Sequence, residues 1–249
     1  MRECIFCGSA ASTKEHAWPN WLIQQFPARS GAEIEGQRGT EPVLRWKSKG
    51  HSQQVRNVCA QCNNGWMSAL EGEAKAIMEP LLFSSRYDLS VSARRTLTRW
   101  AMKTAMVFES LGHQRQPYYV QPDRDAIRAG ESPLGNNSVW VGRCVEFNGF
   151  YSKASDLFDN PDPSSQRARG YVTTLGLGSL ALQVLSVRLI HEKTAPTRIT
   201  VSLADGPWSF IGEQIWPSDG GTVAWAPTQA LHGEVGLEAL ARRFRTTPI

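Results

Sequence analysis

The pattern of apolar and polar positions divides the chain into an early segment of short elements, two long helical stretches and a strand-rich remainder. Trp18, Leu22, Ile23 and Phe26 recur at helical spacing around Pro19, which suits a first helical turn, so a short helix closed by Pro27 is expected. Residues 28–41 are rich in Gly, Arg and Glu, carry no period and read as a loop. Between Pro42 and Val58 the pattern predicts a hairpin. Val43, Leu44 and Trp46 form one strand, Lys49 to Ser52 the turn, and Val55 with Val58 the return strand. Trp66, Leu70, Ala74 and Ile77 then mark one face of a helix over Asn63–Glu79. Glu71, Glu73 and Lys75 occupy the opposite face, and Pro80 is expected to stop the helix.

A second helix is expected over Ser92–Leu111, with Ser92 as its cap and Gly112 beyond its end. Leu97, Trp100, Ala101, Thr104, Val107, Phe108 and Leu111 form its buried face, while Arg95, Arg99 and Lys103 recur every four residues along another. After a short helix around Asp123–Ala129 the signals turn to strand: 139–147, 171–175, 180–190, 198–203, 209–216 and 222–225. Breakers at 160–163 and 205–207 separate them, and a last helix covers 233–244 with Val235, Leu237, Leu240 and Phe244 inward. The fold class is α+β.

Bulk properties narrow the function only a little. The 249 residues carry a formal net charge of +4, compatible with a polyanionic partner without demanding one. The longest apolar region, 175–190, contains Gln183 and Arg188 and is short for a bilayer span, so buried strands and no membrane partner are expected. Met1-Arg2-Glu3-Cys4 leaves no secretory leader ahead of the first cysteine, and a cytoplasmic location is the expectation. Cys144 lies in a strand-like run and reads as a packed core thiol. There is no internal repeat, Gly-rich phosphate loop, nucleophile elbow or Ser/His/Asp order.

The chemistry concentrates near the start of the chain. Cys4-Ile5-Phe6-Cys7 and Cys59-Ala60-Gln61-Cys62 are two Cys-x2-Cys pairs far apart in sequence, the spacing of a structural Zn²⁺ site closed by four thiolates. Joining the two turns through one ion brings Glu15-His16 and the Asn63 helix start into one neighbourhood. A carboxylate, an imidazole and an amide oxygen placed together can bind a hard divalent ion and activate a water.

The order Cys-x2-Cys, Glu-His-x-x-Pro, Cys-x2-Cys-Asn resembles the zinc-containing branch of the His-Asn-His (HNH) nucleases, enzymes of the ββα-metal fold. The resemblance covers about the first third of the chain. It implies a zinc-stapled ββα-metal nuclease core in residues 1–82. The remainder, 83–249, reads from its own pattern as a mixed helix and β-rich domain of unknown role, open to target recognition or homo-oligomerisation. The resemblance further implies hydrolysis of nucleic-acid phosphodiesters, DNA favoured, with Mg²⁺ or Mn²⁺ as the catalytic ion. His16 would be the general base, Glu15 and Asn63 would hold that ion, and Asn57 would be the middle Asn of the motif. Glu15 stands where many relatives have Asp, and Asn63 where the name motif ends in His, with Asn64 as the local alternative. On this reading Arg95, Arg99 and Lys103 become candidate nucleic-acid contacts, although such a stripe is usually a solvated surface. The rival reading is a zinc-stabilised nucleic-acid-binding or protein-interaction module that does not cut.

Overall fold

A computed structural model describes residues 2–26, 32–36, 44–48, 53–83, 86–111, 117–131, 133, 136–158, 168–189, 201–203 and 212–246. The chain begins with β1 (Thr13–His16), α1 (Asn20–Gln25), β2 (Ala32–Gly36), β3 (Leu44–Ser48) and β4 (Gln54–Val58). β1 runs antiparallel to β4, with Thr13 opposite Val58, Glu15 opposite Val55 and His16 opposite Gln54. β2 and β3 pair with each other, Ile34 opposite Trp46. This corrects the expected hairpin: Leu44–Ser48 turns back onto a strand inside the supposed loop, and β4 goes to β1. Period-two alternation identifies a strand but says nothing about its partner. The proposed turn at Lys49 to Ser52 lies outside the described residues.

Next come α2 (Ala60–Cys62), a π-helical turn over Asn63–Met67 and α3 (Ser68–Leu82). The expected helix therefore exists but opens three residues earlier and bends at Gly65, whose φ of −95° and ψ of −112° are not helical. Pro80 does not stop it, because the helix ends at Leu82 and the proline forfeits a bond only in the final turn.

β5 (Tyr87–Leu89), α4 (Val91–Leu111) and α5 (Gln121–Ala129) follow. Ser90, not Ser92, caps α4: its Oγ accepts from the Ala93 N–H at 3.2 Å. Gly130 ends α5 at φ +80°, a left-handed C-cap that favours glycine.

The remainder comprises β6 (Asn136–Val145), β7 (Phe150–Phe158), β8 (Ala168–Leu177), β9 (Leu180–Leu189), β10 (Val201–Leu203), β11 (Glu213–Trp216), β12 (Val223–Trp225), β13 (Ala230–His232), α6 (Gly233–Ala241) and β14 (Phe244–Thr246). Six of these form one sheet in the order β11-β6-β9-β8-β7, with β13 added parallel to β6. β7 is a strand the pattern missed, since Tyr-Ser-Lys-Ala-Ser-Asp is mostly polar. β12 pairs with β5, and β10 with β14.

Both faces of the central strands are covered. Leu175, Leu182 and Val184 point into the core that also holds Trp100, Ala101 and Val107 of α4. Ala181 packs with Leu237 and Leu240 of α6 on the other face. Double coverage explains why β8 and β9 read as near-continuous apolar runs although they are antiparallel. α6 is shorter than expected: Phe244 belongs to β14, and Val235 is exposed.

Packing crosses the boundary expected at residue 82. Trp18 packs at 4.9 Å against Phe108 and 5.1 Å against Phe150, and one buried cluster runs from Cys4 to Trp225. No described helix is long and apolar enough to cross a membrane.

Candidate metal centre and adjoining pocket

The first Cys-x2-Cys turn is closed by backbone bonds from Cys4 N–H to the Ser9 carbonyl and from Gly8 N–H to the Cys4 carbonyl, with Gly8 at φ +72°. The Ile5 N–H donates to the Asn57 carbonyl at 2.9 Å, which ties this turn to β4. The second turn is the start of α2, where Cys59 Sγ accepts from the Cys62 N–H. Four Sγ atoms, those of Cys4, Cys7, Cys59 and Cys62, consequently lie within 4.8 Å of one another. A ZnS₄ tetrahedron with bonds of about 2.3 Å has edges of about 3.8 Å. The Cys7–Cys59 separation of 3.5 Å is close to that edge, so the four thiols could hold a metal such as zinc. Burial pushes the Cys4 and Cys62 thiols up, whereas the Ser9 hydroxyl holds Cys7 down to about 6.

Beside this cluster lies a pocket of about 340 Å³ whose walls include Lys14, Glu15, His16, Trp21, Asn63 and Glu71. β1 supplies the first three of these, α1 the tryptophan, and the helical run after Cys62 the last two. Glu15, His16 and Asn63 are thus brought together. Asn57 and Asn64 do not line the pocket. Asn57 instead contributes its carbonyl to the Cys4 turn, and its Oδ1 is buried without a hydrogen-bond partner among the described residues.

His16 Nε2 lies 2.6 Å from the side-chain amide of Gln54, its cross-strand neighbour in β1–β4. The atom facing the ring is the amide nitrogen of Gln54, a donor, so in this arrangement His16 Nε2 accepts and the ring proton sits on Nδ1. Asn63 Nδ2 donates to Thr13 Oγ1 at 3.2 Å, leaving its Oδ1 as the uncommitted end. Glu15 is buried and its Oε1 sits 3.6 Å from Lys103 Nζ, which also binds Glu71 Oε1 at 2.8 Å. Burial pushes Glu15 up to about 7, against the pull of Lys103 and with the Glu71 charge adding to the rise.

The basic stripe is corrected by these contacts. Lys103 is fully buried among carboxylates and presents nothing to a phosphate. Arg99 donates to the Ile127 and Arg128 carbonyls at the end of α5 and lies over the Trp66 ring, so its work is structural. Arg95 alone of the three is exposed. Glu71 lines the pocket and Lys103 pairs with it from behind the wall, although both residue types suggest solvent. The available signal was spacing: Lys103 falls three residues after Trp100 and four before Val107, inside the apolar stripe of α4.

Comparison with protein-family models, characterised proteins and solved structures returned no match. Among the described residues, the four cysteines are the only group of three or more His, Cys, Asp or Glu ligand atoms gathered within 4.8 Å. The oxygen donors lining the pocket include the Glu15 and Glu71 carboxylates and Asn63 Oδ1.

Proposed function

We propose that this protein is a metal-dependent endonuclease that hydrolyses nucleic-acid phosphodiesters, DNA favoured, with zinc holding its N-terminal scaffold. The observation that carries the reading is the common pocket of Glu15, His16 and Asn63 beside the four-cysteine cluster. An antiparallel strand pair followed by a helix supplies these residues, as in the ββα arrangement of the HNH nucleases. His16 acts as general base through Nδ1 once the Gln54 amide turns its oxygen to Nε2, which then carries the ring proton. Glu15 and Asn63 would hold the divalent ion, which supplies charge stabilisation at the scissile phosphate and the leaving 3′ oxygen. Cleavage leaves 5′-phosphate and 3′-hydroxyl ends.

One contact favours a second reading, a non-cleaving nucleic-acid module. Glu15 already has a cation at 3.6 Å, as it would in a protein with no catalytic ion. Plasmid cleavage separates the two. The zinc-loaded protein should convert supercoiled plasmid to nicked or linear form with Mg²⁺ or Mn²⁺, and EDTA should stop it. His16→Ala should lower the rate by about 10²–10⁴-fold while leaving zinc content and affinity for DNA near those of the wild type. Equal cutting by both proteins, or none on DNA or RNA with either ion, would end the nuclease reading.

A further inference from the structure

Lys103 enters the pocket region from α4, outside the segment that carries the cysteines and the Glu15-His16 pair. Its ammonium is fully buried, which is tolerated only when the charge is paired. Its two partners are both pocket-lining carboxylates, Glu71 at 2.8 Å and Glu15 at 3.6 Å. A purely structural ion pair needs one carboxylate. Here a single cation is shared between two, and one of them is the residue assigned to the divalent ion. The lysine itself does not line the pocket and so cannot touch a substrate there.

We propose that Lys103 is a positioning residue: a built-in cation that holds Glu15 beside Glu71 at the pocket wall and competes with a divalent ion for the Glu15 carboxylate. The proposal deepens the nuclease reading and rests on it for the role of the pocket. The physical reason is charge placement. A divalent ion on Glu15 and an ammonium within ion-pair distance of the same carboxylate repel each other, and partial burial weakens the screening. α4 thereby sets the metal affinity of a site built on β1 and on the helical run that continues into α3. It also keeps the two acidic side chains from driving each other apart when no ion is bound.

The probe is Mn²⁺ alone, titrated into the zinc-loaded protein at fixed pH and followed by electron paramagnetic resonance. Lys103→Met should tighten Mn²⁺ binding by ~10-fold or more, since a like charge is removed from the neighbourhood of the ion. Lys103→Arg, which restores the charge, should return the affinity to near the wild-type value. Lys103→Gln keeps a donor for the carboxylates and serves as a second neutral variant should the Met variant fail to fold. Equal or weaker Mn²⁺ binding in a folded, zinc-loaded neutral variant would overturn the inference and leave the nuclease reading standing. Mn²⁺ binding by a neutral variant but not by the wild type would support the inference while counting against metal-dependent cleavage. No binding by either would overturn both.

Discussion

The Sγ atoms of Cys7 and Cys59, fifty-two positions apart in the chain, lie 3.5 Å from each other. A metal bound there closes a loop that contains β1, α1 and the strands up to β4, and so fixes where Glu15 and His16 stand relative to Asn63. The purified protein is expected to hold one zinc with four sulfur neighbours at about 2.3 Å, measured by metal analysis and X-ray absorption. Cys59→Ser should lose the zinc and fold poorly, because binding free energy at such a site is folding free energy. Zinc-free wild-type protein that is fully folded would count against the site.

Gln54 and Asn63 should fail in different ways. Gln54→Ala removes the partner of His16 Nε2, so cleavage should slow by ~10-fold at every Mn²⁺ concentration, the usual cost of losing a supporting residue around a site. Asn63→Ala removes an oxygen donor for the ion, so its activity should recover as Mn²⁺ is raised. Rates measured across a metal series distinguish the two. A metal-independent loss in Asn63→Ala would remove it from the ligand set.

Glu109 offers a pH test of stability away from the metal. Its carboxylate accepts from the Tyr118 and Tyr119 N–H groups and pairs with Arg124 at 3.0 Å. Burial nevertheless lifts it from the ordinary 4.5 to about 6, with Arg124 and the two amides pulling the other way. A carboxyl raised in the folded state contributes stability that is fully present below about 4.5 and lost as pH rises through about 6. Glu109→Gln cannot titrate. Wild-type stability relative to this variant should therefore fall by about 2 kcal/mol between pH 4.5 and 7, read from urea unfolding. A difference that stays flat, or rises with pH, would mean that Arg124 dominates.

Trp18 tests whether the chain folds as one unit. It is almost fully buried between Phe108 and Phe150, which lie beyond the boundary expected from sequence. Trp18→Ala should cost about 3–5 kcal/mol, as for a large aromatic removed from a core. The wild type should unfold in a single transition, with circular dichroism and tryptophan fluorescence coinciding. Two separated transitions would restore two independent domains.

What the sequence determined by itself was local and chemical. The cysteine spacing pointed to the four-thiol cluster, because two residues between ligands is a property of a single turn. Apolar periodicity located α1, the helix after Cys62, α4 and most strands of the large sheet, because each pattern depends on neighbours within a few residues. Glu15, His16 and Asn63 could be singled out because each follows a cysteine turn or precedes a helix at short range. The tertiary structure decided the rest. It set β4 against β1 and β3 against β2, since alternation carries no address for a partner strand. It buried Lys103 and turned Glu71 into the pocket, although their residue types alone suggest solvent. It joined residues on either side of position 82 into one core through Trp18, Phe108 and Phe150. Burial and ion pairing are sums over contacts from distant parts of the chain, so the environment of Glu15 was set by a lysine eighty-eight positions away and could be known only once the chain had folded.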